Sequence, residues 1–247
     1  MKRNVLFSAL AFGASLTAAA QRANVQIIHN CPTPAADSVD IYVNAGMGWS
    51  PTAAVSDLKF RMATGFIQLP AGVPGVRVAV APRTSAPAIT DTLASFAVPS
   101  LMSGSDYVAI AGGELGSQTA PFDIFFGDAA QVGTTGNTDF DLNIFHGGSD
   151  APGVAAFTDA DALTPAVPSL TFGNFTGMTS LPAVDQLLLL TLDANFNDMV
   201  DGFSVPLATL NAGGGAGIVF ASGKLNPGPN EASFGMFVAL PDGTVLE

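Results

Sequence analysis

The chain has 247 residues, of which 48% are hydrophobic and 11% charged, and its formal net charge is −12 at pH 7. This composition predicts a globular protein and excludes a disordered one. The acidic balance excludes a nucleic-acid-binding protein, because no basic stripe is present to neutralise phosphates. It equally disfavours docking on anionic lipid.

The first 20 residues have the pattern of a secretory signal peptide. Lys2 and Arg3 precede an apolar stretch at residues 5–17, and three small residues, 18–20, offer a cleavage site before Gln21. We therefore expect an exported protein that resides outside the cell, on the cell surface or in the periplasm. No later stretch reaches the roughly 20 apolar residues of a membrane-spanning helix, so no membrane insertion is expected.

The stretch at residues 25–43 comes next and returns later in the chain, at residues 142–157. In each, a strand-like run ends in a histidine, a turn rich in Pro or Gly follows, and a second strand-like run begins. His29 and His146 are the only histidines of the sequence, and each closes the first strand of its stretch.

Cys31 is the only cysteine, so an internal disulfide is impossible and packing alone must stabilise an exported fold. Its simplest interpretation is a small, partly buried residue of the opening turn. An intermolecular disulfide or a reactive thiol is the alternative.

An internal repeat runs through the remaining chain. His29 and His146 are 117 positions apart, and the later matches keep their order at offsets near 112. The gaps fall in Gly-, Pro- and Asn-rich places, where loops absorb insertions cheaply. The matching segments are residues 55–60 with 167–172, 64–65 with 176–177, 69–71 with 181–183, 96–99 with 203–206, and 122–125 with 234–237.

This repeat predicts three parts: a signal peptide at 1–20, a first copy at 21–133 and a second copy at 134–247, with residues 134–138 as the linker. Within each copy, short β-rich runs recur about every 8–12 residues, as in an all-β sandwich. We expect about seven or eight strands per copy. Residues 187–190, four consecutive leucines, suit a buried strand.

The opener resembles that of the tandem domain-of-unknown-function 4397 family of exported bacterial proteins. Its turn is best kept in the second copy, as residues 146–152, and its following strand in the first copy, as residues 38–43. Residues 69–72, Leu-Pro-Ala-Gly, are similar to a family turn, and the resemblance extends over residues 24–246. It implies two tandem immunoglobulin-like or transthyretin-like β-sandwich domains on exported, often surface-associated proteins, and it implies no activity.

The two histidines have a structural and a chemical interpretation. A histidine at a strand end can bond the backbone of the turn that follows, which we expect of His29 and His146. Ligand or metal contact is the alternative. A pairing of histidine with Asp40 could operate in the first copy only, because Ala155 replaces this acid in the second.

Residues 146–150, His-Gly-Gly-Ser-Asp, resemble an oxyanion-hole string followed by a nucleophile. Hydrolases of that type carry the serine in G-x-S-x-G at a strand–turn–helix elbow, and the sequence shows neither. Zinc is not expected either, because one cysteine and two distant histidines do not make a tetrahedral site. We predict no catalytic residues and no cofactor.

Weak calcium candidates are Asp193, Asn195 and Asn197, since oxygen-bearing side chains at alternate positions can converge on a hard cation. The EF-hand pattern fails here, because Asp198 stands where glycine is needed. A turn held by Asp and Asn side chains is the simpler interpretation.

Three function classes remain. The first is a non-enzymatic secreted or cell-surface protein, a structural, adhesion or ligand-binding module with an unknown protein or glycan partner. A single Trp and two Tyr leave little surface for stacking on sugars. The second class is an assembly subunit that joins others by β-strand pairing. The third is a secreted hydrolase whose catalytic residues are gathered only by the fold.

Overall fold

A computed structural model describes residues 21–85, 89, 91–134, 136, 138–159, 164–192 and 199–247. Within these residues the protein is all-β, with one short 3-10 turn at Pro34–Ala36, so the predicted fold class is confirmed. No helix of this part of the chain is long and apolar enough to cross a membrane. The proposed signal peptide lies outside the described residues and stays a prediction.

The described residues form seventeen strands, eight in the first copy and nine in the second. The first eight are β1 (Arg22–Asn30), β2 (Ser38–Asn44), β3 (Val55–Lys59), β4 (Ile67–Pro70), β5 (Arg77–Pro82), β6 (Ala94–Ala97), β7 (Asp106–Gly112) and β8 (Asp123–Asp128). The others are β9 (Asp139–Phe145), β10 (Val154–Thr158), β11 (Val167–Leu170), β12 (Phe175–Pro182), β13 (Asp185–Thr191), β14 (Met199–Pro206), β15 (Ala216–Ser222), β16 (Gly235–Ala239) and β17 (Val245–Leu246).

The sheets of the two copies have the same strand order. The first copy forms the sheets β4-β1-β7-β8 and β3-β2-β5-β6, and the second forms β12-β9-β15-β16-β17 and β11-β10-β13-β14. Adding eight to each number of the first copy reproduces the second, apart from the extra β17. The pairs β1–β7 and β9–β15 are parallel, and the other pairs are antiparallel. The fold therefore repeats in topology as well as in sequence.

This order favours one of the two predicted sandwich types. In an immunoglobulin constant domain the first, second, fifth and fourth strands share a sheet. Here β1 and β4 lie in one sheet with β7, while β2 and β5 lie in the other. The arrangement departs from the immunoglobulin order, which leaves the transthyretin-like alternative.

Each copy has a core of its own between its two sheets. The two-residue period places alternate side chains of a strand inside: on β13, Leu188 and Leu190 are buried, whereas Leu187 is 44% exposed. The first core includes Val25, Ile27, Val39, Ile41, Val78 and Val80. The second includes Phe140, Leu142, Leu170, Leu188, Leu190 and Leu207.

A third core joins the two copies. The sheet with β1 and β7 turns its other face toward the sheet with β9 and β15, and the side chains between them are fully buried. The molecule is therefore a stack of four sheets, whose two central sheets have a core on both faces. The buried residues of this third core are Ile28, Val108, Ile110, Phe145, Ile218, Phe220, Phe237 and Ala239.

Candidate functional site

The histidine of the first copy lies at the end of β1 and is fully buried. His29 Nε2 is 2.5 Å from the carbonyl oxygen of Ala36 in the 3-10 turn. A carbonyl can only accept, so the ring carries its hydrogen on Nε2. Burial lowers the pKa of His29 against the opposing effect of this hydrogen bond, and the ring is therefore neutral at pH 7.

The histidine of the second copy repeats this geometry. His146 Nε2 donates to the carbonyl oxygen of Pro152 at 2.9 Å, across the equivalent turn. Burial lowers the pKa of His146 as well. In both copies the ring therefore satisfies a carbonyl that the strand ladders leave unpaired.

Asp40 serves the neighbouring strand pair. Its carboxylate accepts the backbone N–H of Asp57 at 2.8 Å, and the hydroxyl of Ser38 donates to the carboxylate of Asp57 at 2.7 Å. Asp57 has a left-handed backbone, with φ of 53°, which a short polar side chain tolerates better than most. These bonds hold the irregular register between β2 and β3.

The hydrolase-like string of residues 146–150 is built into the scaffold. Asp150 accepts the backbone N–H groups of Leu225 at 2.6 Å and Asn226 at 2.8 Å, which holds the loop after β15. In the first copy, Thr33 Oγ1 occupies the equivalent place and accepts the N–H of Leu115 at 3.0 Å. Asp150 therefore stabilises the loop after β15.

Ser149 and Gly148 of this string also have structural surroundings and no catalytic partner within the described residues. Ser149 Oγ is buried, and within the described residues it has no hydrogen-bond partner that could act as a base. A side-chain carbon at Gly148 would lie 2.9 Å from the ring of Phe234. The glycine is thus required for close packing.

Cys31 is fully buried, and this burial raises the pKa of its thiol. A buried thiol with a raised pKa is a poor nucleophile and a poor partner for disulfide exchange. The geometry agrees with the simplest interpretation of this residue.

The calcium candidates Asp193, Asn195 and Asn197 lie outside the described residues, and the calcium hypothesis stays a prediction. Across the part of the chain that is described, no three His, Cys, Asp or Glu side chains converge on a point where they could hold a metal ion.

Sequence reasoning missed the polar contacts between the copies, which are reciprocal. The amide of Gln26 in β1 donates to the carbonyl oxygen of Leu240 at 2.6 Å. Asn143, the equivalent of Gln26 in β9, donates to the carbonyl oxygen of Asp128 at 2.9 Å, and Asp128 is the equivalent of Leu240. Exchanging the copies reproduces the contact, so a twofold axis relates them.

One pair of equivalent positions lies in contact at this axis but carries different residues in the two copies. The amide of Asn30 donates to the carbonyl oxygen of Ala221 in the other copy at 3.0 Å. The equivalent of Asn30 is Gly147, where a side-chain carbon would overlap the Asn30 amide. One copy supplies the side chain and the other supplies the space.

Arg61 and Gly173 are another pair of equivalent positions with unlike residues, and each faces the equivalent phenylalanine of the other copy. The guanidinium of Arg61 lies over the ring of Phe237 in the second copy, 4.3 Å from its centroid, and donates to Ser222 Oγ at 3.0 Å. Gly173 faces Phe125, the equivalent of Phe237, and a side-chain carbon there would lie 2.7 Å from this ring. The backbone is left-handed at both positions, with φ of 63° and 80°.

Comparisons with known proteins add little to this geometry. No protein-family model matches the chain, and no curated protein matches it. Among solved structures, the chain is similar to CBMbc, a family CBM26 module of Eubacterium rectale Amy13K solved in complex with maltoheptaose. The identity is 11% and the TM-score 0.25, over 89% of this chain and 98% of that chain. At this level the similarity supports no transfer of the ligand.

Proposed function

We propose that this protein is a non-enzymatic, exported β-sandwich module that binds a partner at the cell surface. Export rests on the signal-like first 20 residues, and the resemblance to the domain-of-unknown-function 4397 family agrees with it. One observation carries the proposal: His146 and Asp150, the ionisable groups of the string that looked catalytic, are used in turn and loop hydrogen bonds. Neither is free to act on a substrate.

A protein partner is favoured over a glycan. Sugar binding of the stacking type needs exposed aromatic faces, and the chain has only three Tyr and Trp residues. Tyr42 is buried, and Trp49 packs against it on the outer face of β2 and β5. The hydroxyl of Tyr107 accepts the backbone N–H of Met102 at 3.2 Å. These contacts leave little aromatic surface for a sugar ring.

Assembly by strand pairing is the second candidate function. Charged side chains on two edge strands, β8 and β14, make it less favourable. On β8, the carboxylate of Asp123 accepts the N–H of Ile124 at 2.7 Å. On β14, the carboxylate of Asp201 accepts the N–H of Gly202 at 2.8 Å. Charged side chains bonded along an edge disfavour the addition of another strand.

The test is a binding screen of the purified chain from Gln21 onward against immobilised extracellular matrix proteins and glycans, run beside an assay with ester and peptide substrates. We expect binding to a protein and no turnover. Turnover that is lost in Ser149→Ala, with an unchanged melting temperature, would instead identify a hydrolase. Binding to glycans alone would overturn the preference for a protein partner.

A further inference from the structure

The second core contains a cavity at the end of the sandwich where β9 and β15 end. The space open to the centre of a water-sized sphere is about 20 Å³, and every side chain of the wall is apolar except that of His146. The cavity is not fully enclosed, and Val154, Val200 and Met236 of its wall are partly exposed. A small molecule therefore has a way in from solvent.

A difference between the two copies accounts for this space. Ala156 lies in the cavity wall, and the strand registers make it the equivalent of Ile41 in the first copy. Leu190 is larger than its equivalent Val80, which compensates only in part for the shorter side chain of Ala156. The cavity of the first core, with Ile41 in its wall, is about 10 Å³. A core that lacks side-chain atoms keeps a cavity, because its surroundings collapse only partially.

His146 brings one polar group to the cavity wall. The residue is 2% exposed, its Nε2 is used by the carbonyl of Pro152, and its Nδ1 has no hydrogen-bond partner within the described residues. The neutral ring carries its hydrogen on Nε2, so Nδ1 can only accept. His29 also has an unpartnered Nδ1, but His29 is not part of the wall of the first cavity. A buried acceptor without a partner favours a ligand that donates a hydrogen bond.

The size and polarity of the cavity define the class of this ligand. A buried water needs about 10–15 Å³ of such space and about two to four polar partners. The cavity has the space, but its side chains offer only the one nitrogen acceptor. A molecule with a single O–H donor and a short alkyl group satisfies this acceptor and keeps the remaining wall in apolar contact.

We propose that the cavity binds a short-chain alcohol, methanol or ethanol, whose hydroxyl donates to His146 Nδ1 and whose alkyl group contacts Ala156 and Leu190. The site lies inside the second sandwich and is independent of the surface that binds the proposed partner. So few heavy atoms limit the affinity, and we expect dissociation constants of about 1–10 mM.

Nuclear magnetic resonance of the imidazole nitrogens tests this site, because the chain has only two histidines. The chain from Gln21 onward, with nitrogen-15 in its histidines, is titrated with ethanol to about 100 mM, well above the expected dissociation constant. We expect a saturable upfield shift of His146 Nδ1 and no saturable shift at His29. Acetonitrile has as many heavy atoms as ethanol but no O–H donor, and it should give no saturable shift at either ring.

Substitutions at the cavity wall supply the second test. Ala156→Ile copies the first core and should weaken ethanol binding at least about tenfold, because the larger side chain occupies the cavity. Ala156→Val makes the same test with a smaller change, should the isoleucine variant fail to fold. The matched control Ile41→Val alters the equivalent position of the first core and should change ethanol binding less than about twofold.

Three results of the titration would overturn the inference: no saturable shift at His146, equal shifts at both histidines, or an equal response to acetonitrile. Unchanged ethanol binding in an Ala156 variant that keeps a cooperative melt would overturn it as well. Each of these results leaves the proposed partner binding standing, because the matrix screen is run without alcohol. A chain that binds ethanol but no matrix protein would contradict the proposed function alone.

Discussion

Glu114 and Lys224 hold equivalent positions in the two copies, and their side chains form an ion pair with each other at 3.2 Å. Each follows a glycine with φ of 81° at the end of its central strand. Because equivalent positions meet, pairing of like copies would bring Glu onto Glu or Lys onto Lys. The opposite charges therefore favour pairing of the first copy with the second.

Charge reversal tests this pairing. We expect Glu114→Lys and Lys224→Glu each to lower the free energy of unfolding by about 1 kcal/mol, because each places like charges together in a partly exposed site. The double reversal should regain part of the loss. Recovery is incomplete because Glu231, which also contacts Lys224 at 3.2 Å, stays in place. Denaturant unfolding measures all four proteins, and strict additivity of the two single changes would contradict the pairing.

The Asn30–Gly147 pair gives a steric test of the same axis. A methyl group at Gly147 overlaps the Asn30 amide and the Ala221 carbonyl, so Gly147→Ala should cost about 2 kcal/mol or more. Adding Asn30→Gly removes the overlap with the amide and leaves the overlap with the Ala221 carbonyl. We expect Gly147→Ala to cost less stability in the Asn30→Gly background than in the wild type in thermal melts, and an equal cost would contradict the contact between the two positions.

The buried histidines predict a pH dependence. Their folded-state pKa values lie below the usual 6.5, so the unfolded chain binds protons first as the pH falls. Their contribution is fully present above about pH 6.5 and is lost as the pH drops through the folded-state pKa values, by up to about 1.4 kcal/mol per pH unit for each ring. Unfolding free energies between pH 5 and 8 check this.

His29→Gln supplies the control for this slope, since it keeps an N–H donor for the Ala36 carbonyl without a titrating ring. The slope between pH 5 and 6.5 should fall by about half in this variant, because one of two rings remains. The carboxylates of Asp185 and Asp242 have pKa values below 3.8 and do not interfere in this range. An unchanged slope would contradict the assignment.

Phe220 tests the third core. It is fully buried between the copies and stacks on Phe237 with centroids 5.6 Å apart, so Phe220→Ala should cost about 3–5 kcal/mol. Calorimetry should show one transition for the wild type and two for the variant, because the coupling between copies is weakened. Leu58→Ala, within the first core, should lower the melting temperature but keep one transition. Two transitions in the wild type would contradict the coupling.

The all-β class and the repeat follow from the sequence because both depend on local periodicity. The third core cannot be predicted from local periodicity, although the sequence of the central strands contains one sign of it. In β1, Val25 and Ile27 face the first core, while Gln26 and Ile28 face the other copy. A strand buried on both faces reads as a continuous apolar run, and this is the pattern of β1.

A continuous apolar run does not by itself distinguish a central strand, buried on both faces, from a strand of an outer sheet. The leucine run at residues 187–190 has it more strongly, yet Leu187 is 44% exposed and β13 belongs to an outer sheet. Contacts such as Glu114 with Lys224 are also invisible in a linear reading, since they require the twofold arrangement. Comparing equivalent positions of the repeat for opposite charge, or for a large residue against glycine, would have suggested them.

A distance measurement between the two outer sheets tests the joined four-sheet stack most directly. Spin labels at Ser56→Cys on β3 and Ser204→Cys on β14, in a Cys31→Ala background, lie on exposed positions of opposite outer sheets. Pulsed electron paramagnetic resonance should give a single narrow distance distribution, because the third core fixes one copy against the other. A broad distribution, as from two sandwiches moving independently about residues 134–138, would contradict the account.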